Sequence, residues 1–443
     1  LRAENGGTLE ITTSTIGSAL IRTLPGSTAI MTGNSTLISP VIEGPFRIQN
    51  NIDPTLVGDL VHDSVFSLES AGSGTVLNLN SSPITLTGGG SLEGTDSLQN
   101  IVQSLGVVRT LVVADDYTVR GAMNLGNNNT QLTNNGLIEA TTPVGIVLDL
   151  AAGAGVNFNN ALMVARAGSL LDITTTDLDN ASGEIRAEDG GVVEITSSTI
   201  RGGLIRTDPG GETVMASSST LVDPLIEGPF RIPNNVDPTL VGDLVHDDVF
   251  SLESEGSGTV LNLNSSPITF TGGGSLEGTD SIQNIVQSLG VVRALVIADD
   301  YTVRGGMSLG NNNTQLTNDG LIEATRSAGI TLDLAAGAGV NFNNALMVAR
   351  SGSDFRIVST DLDNTFGEIR AEDGGLVEIT GSTIRSGLIR TDPGGETVMA
   401  SSSTLVDPLI EGPFRIPNNV DPTLVGDLVH DDVFSLESEG SGT

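Results

Sequence analysis

Short stretches of this chain alternate apolar and polar residues with a period of two. In Ile330-Thr331-Leu332-Asp333-Leu334, the Ile and Leu side chains fall on one face and Thr and Asp on the other. Each such stretch is bounded by a corner rich in Gly, Ser, Asn or Asp. The second half shows the pattern in LIRTDPGGETVMASSSTLVDP from Leu204, LIEATRSAGITLDLAAGAGVNFNNA from Leu321 and LMVARSGSDFRIVSTDLDNTFGE from Leu346. A single alternating strand cannot bury its apolar face alone. Winding the chain so that each strand lies on its counterpart in the next coil lines up the apolar faces as an interior. The expected fold is therefore all-β, a single-stranded parallel β-helix (β-solenoid) with coils of about 23 residues. Thr279 to Leu289 admits two readings. Thr279-Asp280 with Ile282, Ile285, Val286 and Leu289 fits a capped helix, while SIQNIV and ALVIADDYTVRG fit coil strands. The segment from Phe230 to Val249, with Pro233 and Pro238, reads as a longer corner.

A longer period lies over the short one. LRAENGGTLEI begins at Leu1, IRAEDGGVVEI at Ile185 and IRAEDGGLVEI at Ile369, a spacing of 184 residues. The organisation read from this is repeat unit 1 over 1–184, unit 2 over 185–368 and a partial unit 3 over 369–443, forming one continuous solenoid with about eight coils per unit. Unit 3 differs from the matching part of unit 2 only at Val192/Leu376, Ser197/Gly381 and Gly202/Ser386. Such copies point to a window of a longer array, with any caps, leader or anchor outside it.

Composition narrows the chemistry. The chain has no cysteine, which excludes disulfides and thiolate metal sites, and no apolar run long enough to span a membrane as a helix. Its formal charge of −35 disfavours nucleic acid and anionic lipid as partners. Aromatic residues are 3% of the chain, whereas Gly numbers 56, which suits short strands and tight corners.

The run ADDYTVRGGMSLGNNNTQLTNDGLIEA from Ala298, followed by FNNALMVARSGSDFRIVSTDLDN and GEIRAEDGGLVEITGSTIRSGLIRT, resembles the coil phrases of bacterial surface β-solenoid proteins of autotransporter or filamentous-haemagglutinin type. The resemblance covers essentially every coil, and LVHDDVFSL departs from it. It implies an extracellular, cell-surface location and adhesin-like or scaffold roles, with no catalytic site to carry over.

Candidate chemistry is sparse. His62, His246 and His430 occupy one unit position, which the family pattern gives to a turn residue; a lone imidazole without cysteine makes no typical zinc site. The adjacent pairs Asp247-Asp248 and Asp299-Asp300 bear on polysaccharide cleavage, but neighbours on a strand face opposite ways. Asp177, Asp179 and Asn180, repeated as Asp361, Asp363 and Asn364, offer hard oxygen ligands suited to calcium, the one cofactor candidate. A solvated outer face is the competing reading. Asn127–Asn129 and Asn311–Asn313 read as turns, and Gly272–Gly274 as a corner rather than a phosphate loop. The expected function is a structural or adhesive solenoid without enzymatic activity, forming a fibre, stalk or surface layer. Its expected partners are its own copies, head-to-tail or lateral, and a host or neighbouring cell surface. A receptor- or glycan-binding module is the alternative, and a polysaccharide-cleaving enzyme a third.

Overall fold

The computed structural model describes residues 1–337 and 339–438, so the last five residues of unit 3 lie outside the described residues. The described residues form β-strands and turns, with no helix among them. The chain divides into two compact units, Leu1–Thr220 and Leu221–Thr443. Each is a parallel β-solenoid with three strands per turn of about 22 residues, every strand pairing with the third strand after it.

In the first unit, one sheet runs through Leu20–Thr23, Val41–Glu43 and Leu60–His62, with Ile21 against Ile42 and Ile42 against His62. A second carries Thr28–Met31, Phe46–Ile48 and Val65–Leu68, with Phe46 against Phe66. A third carries Thr15–Gly17, Thr36–Ile38 and Thr55–Val57, with Leu37 against Leu56. These inward residues are fully or almost fully buried. The interior is thus a set of columns, each built of like residues from successive turns. Burying one Ile or Leu in this way contributes about 2 kcal/mol, and the strands gain it only by stacking.

The second unit repeats the scheme. Ile226 pairs with His246, and Phe230 with Phe250, whose rings stack 5.1 Å apart. The ambiguous stretch resolves as strand Asn284–Ser288, in which Asn284, Val286 and Ser288 point inward. Periodicity could not separate the two readings; pairing with Thr259–Leu263 does. The segment from Phe230 to Val249 is not one long corner. It holds the strands Phe230–Ile232, Thr239–Val241 and Leu244–His246, each only three residues long. The prolines fall between these strands, where no ladder hydrogen bond is lost.

Within each compact unit, segments 184 residues apart lie in different sheets. In the first unit Leu20–Thr23 lies in the sheet of Leu60–His62, while its counterpart Leu204–Thr207 lies in the sheet of Val65–Leu68. In the second unit Leu225–Glu227 and its counterpart Leu409–Glu411 likewise lie in different sheets. Hence a repeat does not close on a whole number of turns.

Candidate functional site

The calcium candidates sit on one strand per unit. Asp177–Asp179 is a three-residue strand whose Leu178 points inward, placing both carboxylates on the outer face. Asp177 is held by Arg201 of the next turn through two hydrogen bonds, Nε to Oδ1 at 2.7 Å and Nη2 to Oδ2 at 2.8 Å. Asp179 Oδ1 accepts the Ala181 amide at 3.1 Å. Asn180 turns the other way and is fully buried. In the second unit Asp361 pairs with Arg385 at 2.8 and 2.7 Å, Asp363 caps Thr365, and Asn364 is buried. The two aspartates and the asparagine therefore point to opposite sides of the wall. Among the described residues, no group of three or more His, Cys, Asp or Glu is placed to hold a metal ion.

Asn180 belongs to an internal amide ladder. Asn134 Nδ2 donates to Asn159 Oδ1 at 2.8 Å, and Asn159 Nδ2 donates to Asn180 Oδ1 at 2.7 Å. Asn318, Asn343 and Asn364 repeat it at 2.7 Å per step. Each step pairs one amide with the next, which offsets the cost of burying polar groups, although the Oδ1 atoms of Asn134 and Asn318 at the start of each ladder have no partner. Room for the ladder requires glycine. At Gly203, with φ +70°, a Cβ would stand 1.8 Å from the Asn180 carbonyl oxygen. The sequence offers Asn180 and Asn364 as calcium ligands; their alignment one turn apart from Asn159 and Asn343 is the signal of the ladder. The turn reading holds for Asn127 and Asn128, both at positive φ.

The histidines are not outer-corner residues. His62 and His246 end inward-facing strands and have no solvent exposure. Their Nε2 atoms lie 3.2 and 3.1 Å from the Gly44 and Gly228 carbonyls, respectively. Each imidazole meets a phenylalanine edge to face, Phe66 or Phe250. Burial is the main cause that lowers both imidazole pKa values, which favours the neutral ring. The glycine triplet one turn later makes the space. A Cβ at Gly90 would lie 2.8 Å from His62 Nδ1, and Gly274 crowds the His246 carbonyl in the same way. The triplet is thus a corner that lies close against the backbone of the turn beneath it.

One substitution between the copies changes this pocket. In the first unit the Tyr117 hydroxyl lies 3.4 Å from His62 Nδ1, a long contact in which the hydroxyl donates. In the second, Phe270 replaces Leu86, and its ring packs on Tyr301 at 5.8 Å. The Tyr301 hydroxyl and His246 Nδ1 are then both buried without a partner.

The adjacent aspartates serve turns. Asp247 accepts the Gly228 amide at 2.8 Å and Asp248 the Val249 amide at 2.8 Å. They border an outer groove of about 260 Å³, with Gly273, Thr302 and Arg304, whose guanidinium pairs with Glu277. Asp300 accepts the Thr271 hydroxyl at 3.0 Å and the Gly272 amide at 3.0 Å.

Most of the arginines pair with carboxylates on neighbouring turns. Arg166 joins Glu139 at 2.8 Å and also Glu188, and Arg350 joins Glu323 at 2.7 Å and also Glu372. Arg186 holds Asp208, and Arg370 holds Asp392. Each half-exposed pair contributes roughly 0.2–1 kcal/mol, so their value lies in number and in fixing register. No protein-family model and no curated protein matches the chain. The class that the fold defines is the parallel β-solenoid built from tandem repeats.

Proposed function

We propose that this chain is a structural or adhesive element of an extracellular fibre, stalk or surface layer, and that it has no enzymatic activity. One observation carries the reading: the same turn-to-turn bonding recurs in both copies, as Arg166 between Glu139 and Glu188 and as Arg350 between Glu323 and Glu372. Side chains so engaged hold one coil to the next. A hydrolase would need two carboxylates free to face one bond, whereas Asp247, Asp248 and Asp300 each accept turn amides. Continuous stacking gives stiffness and resistance to proteolysis, and adding a repeat adds length without new chemistry.

The test is to insert one further 184-residue repeat after Asn364 and to image the 443-residue chain beside the lengthened one. The particle should grow by about 40 Å, on the 4.8 Å spacing of stacked strands. A lengthened chain that forms an extra separate lobe, with no gain along the axis, would overturn the proposal.

A further inference from the structure

The corner between the strands Asn100–Ser104 and Arg109–Val113 is unlike the rest of the surface. Leu105, Val107 and Val108 stand out from it, 43%, 63% and 50% exposed. The copy in the second unit repeats the ridge, with Leu289, Val291 and Val292 at 42%, 63% and 51%. In a chain with 54 acidic and 19 basic residues, neither ridge contains a carboxylate. Nor do the corners one turn to either side, residues 80–83 and 127–129 in the first unit and 264–267 and 311–313 in the second.

A cation sits at each ridge. Arg109 and Arg293 make no ion pair among the described residues, in contrast to the arginines of the cross-turn ladders. Arg109 reaches only a neutral partner, Asn80 Oδ1, at 2.8 Å, and Arg293 reaches Asn264 Oδ1 at 2.7 Å. Their Nε atoms are buried and have no hydrogen-bond partner. An exposed apolar ridge beside an uncompensated cation is complementary to a surface that is apolar and acidic.

We infer that this corner is a lateral docking surface for a second copy of the chain, with the ridge covered by the partner and Arg109 or Arg293 meeting one of the partner's surplus carboxylates. Charge argues for this occupant. Two chains of charge −35 repel wherever acid faces acid, and the repulsion is weakest where a face lacks carboxylates and offers an arginine. Three side chains make a small contact, so a single ridge binds weakly. The inference rests on the structural reading proposed above and supplies its partner surface.

Sedimentation of the full 443-residue chain over a concentration series tests it. The unaltered chain should associate reversibly, and the double variant Val107→Asp/Val291→Asp should need roughly tenfold more protein to do so, the loss expected from two interface side chains. Arg109→Gln/Arg293→Gln should shift association in the same direction. Circular dichroism establishes that the variants keep their β content, and Val107→Ser/Val291→Ser replaces the aspartate variant if it does not. A chain monomeric at millimolar concentration, or association indifferent to the ridge variants, overturns the docking surface. Either result leaves the growth in particle length with added repeats standing, so the two proposals fail separately.

Discussion

At the scale of single residues, several polar groups in the wall of the solenoid lack a partner, and Asp172 is the one whose electrostatics differ between the copies. Its carboxyl is pushed up to about 6, first by burial and then by repulsion from Glu194 on the next turn. The second copy has Arg356 at this position, 3.6 Å from Glu378, where opposite charges meet. A raised carboxyl pKa favours the fold below the unfolded value near 4 and works against it as pH rises through about 6. Asp172→Asn should therefore stabilise the protein at pH 7 by about 1 kcal/mol, a figure reduced for partial exposure. The gain should vanish toward pH 4, which thermal melts at both pH values would read. An equal shift at the two pH values would show that the carboxyl is not the cause. Such pairings were not legible in one-dimensional sequence. Whether Asp172 faces Glu194 or Arg201 depends on turn length, and turn length shows only in register.

At the scale of strands and corners, alternation and turn chemistry carried most of the information. Ile330–Leu332 is a strand with inward Ile330 and Leu332, as its pattern dictates, and Gly272 and Gly273 turn a corner at positive φ. Patterning said less about strands of three residues, because three residues hold barely one period. That is why Thr239–Val241 and Leu244–His246 were hidden inside an apparent corner. It is also why His62 and His246 read as turn residues. Only pairing with Ile42 and Ile226 shows that they continue an internal column.

Their burial has a pH consequence. Around His246, Asp247 and Asp248 face outward onto backbone amides, and Tyr301 is uncharged because burial raises its hydroxyl pKa. A buried histidine with a lowered pKa supports the fold fully above the unfolded value near 6.5, and that support is lost as pH falls below it. Hydrogen exchange of the Leu244–His246 amides should accelerate between pH 7.5 and pH 5.5, after correction for intrinsic rates. The pH-dependent part should be absent in His246→Leu. Unchanged protection in the unaltered protein would mean that the ring stays neutral or that its charge is accommodated.

At the scale of the molecule, the 184-residue repeat and the 22-residue turn are separate periods. The repeat was plain in the sequence as near-identical text. The turn emerged from corner spacing, with an expected length of about 23 residues. What the text could not display is that the two periods are out of step, so that within each unit a repeated segment recurs on a different sheet. The offset depends on how many strands a repeat contains, and three-residue strands are the ones that pattern reading misses.

The central claim is that successive turns stack as parallel strands in the stated register. The chain has no cysteine, so introduced pairs report cleanly. Thr174 faces Thr196 across adjacent turns of the first unit, and Val358 faces Thr380 in the second. Cysteines placed at both members of either pair should be joined almost completely by a bifunctional thiol reagent spanning about 5 Å, the spacing of paired strands. Thiols that react singly but never join, in a chain that keeps its β content, would contradict the stacked-turn architecture.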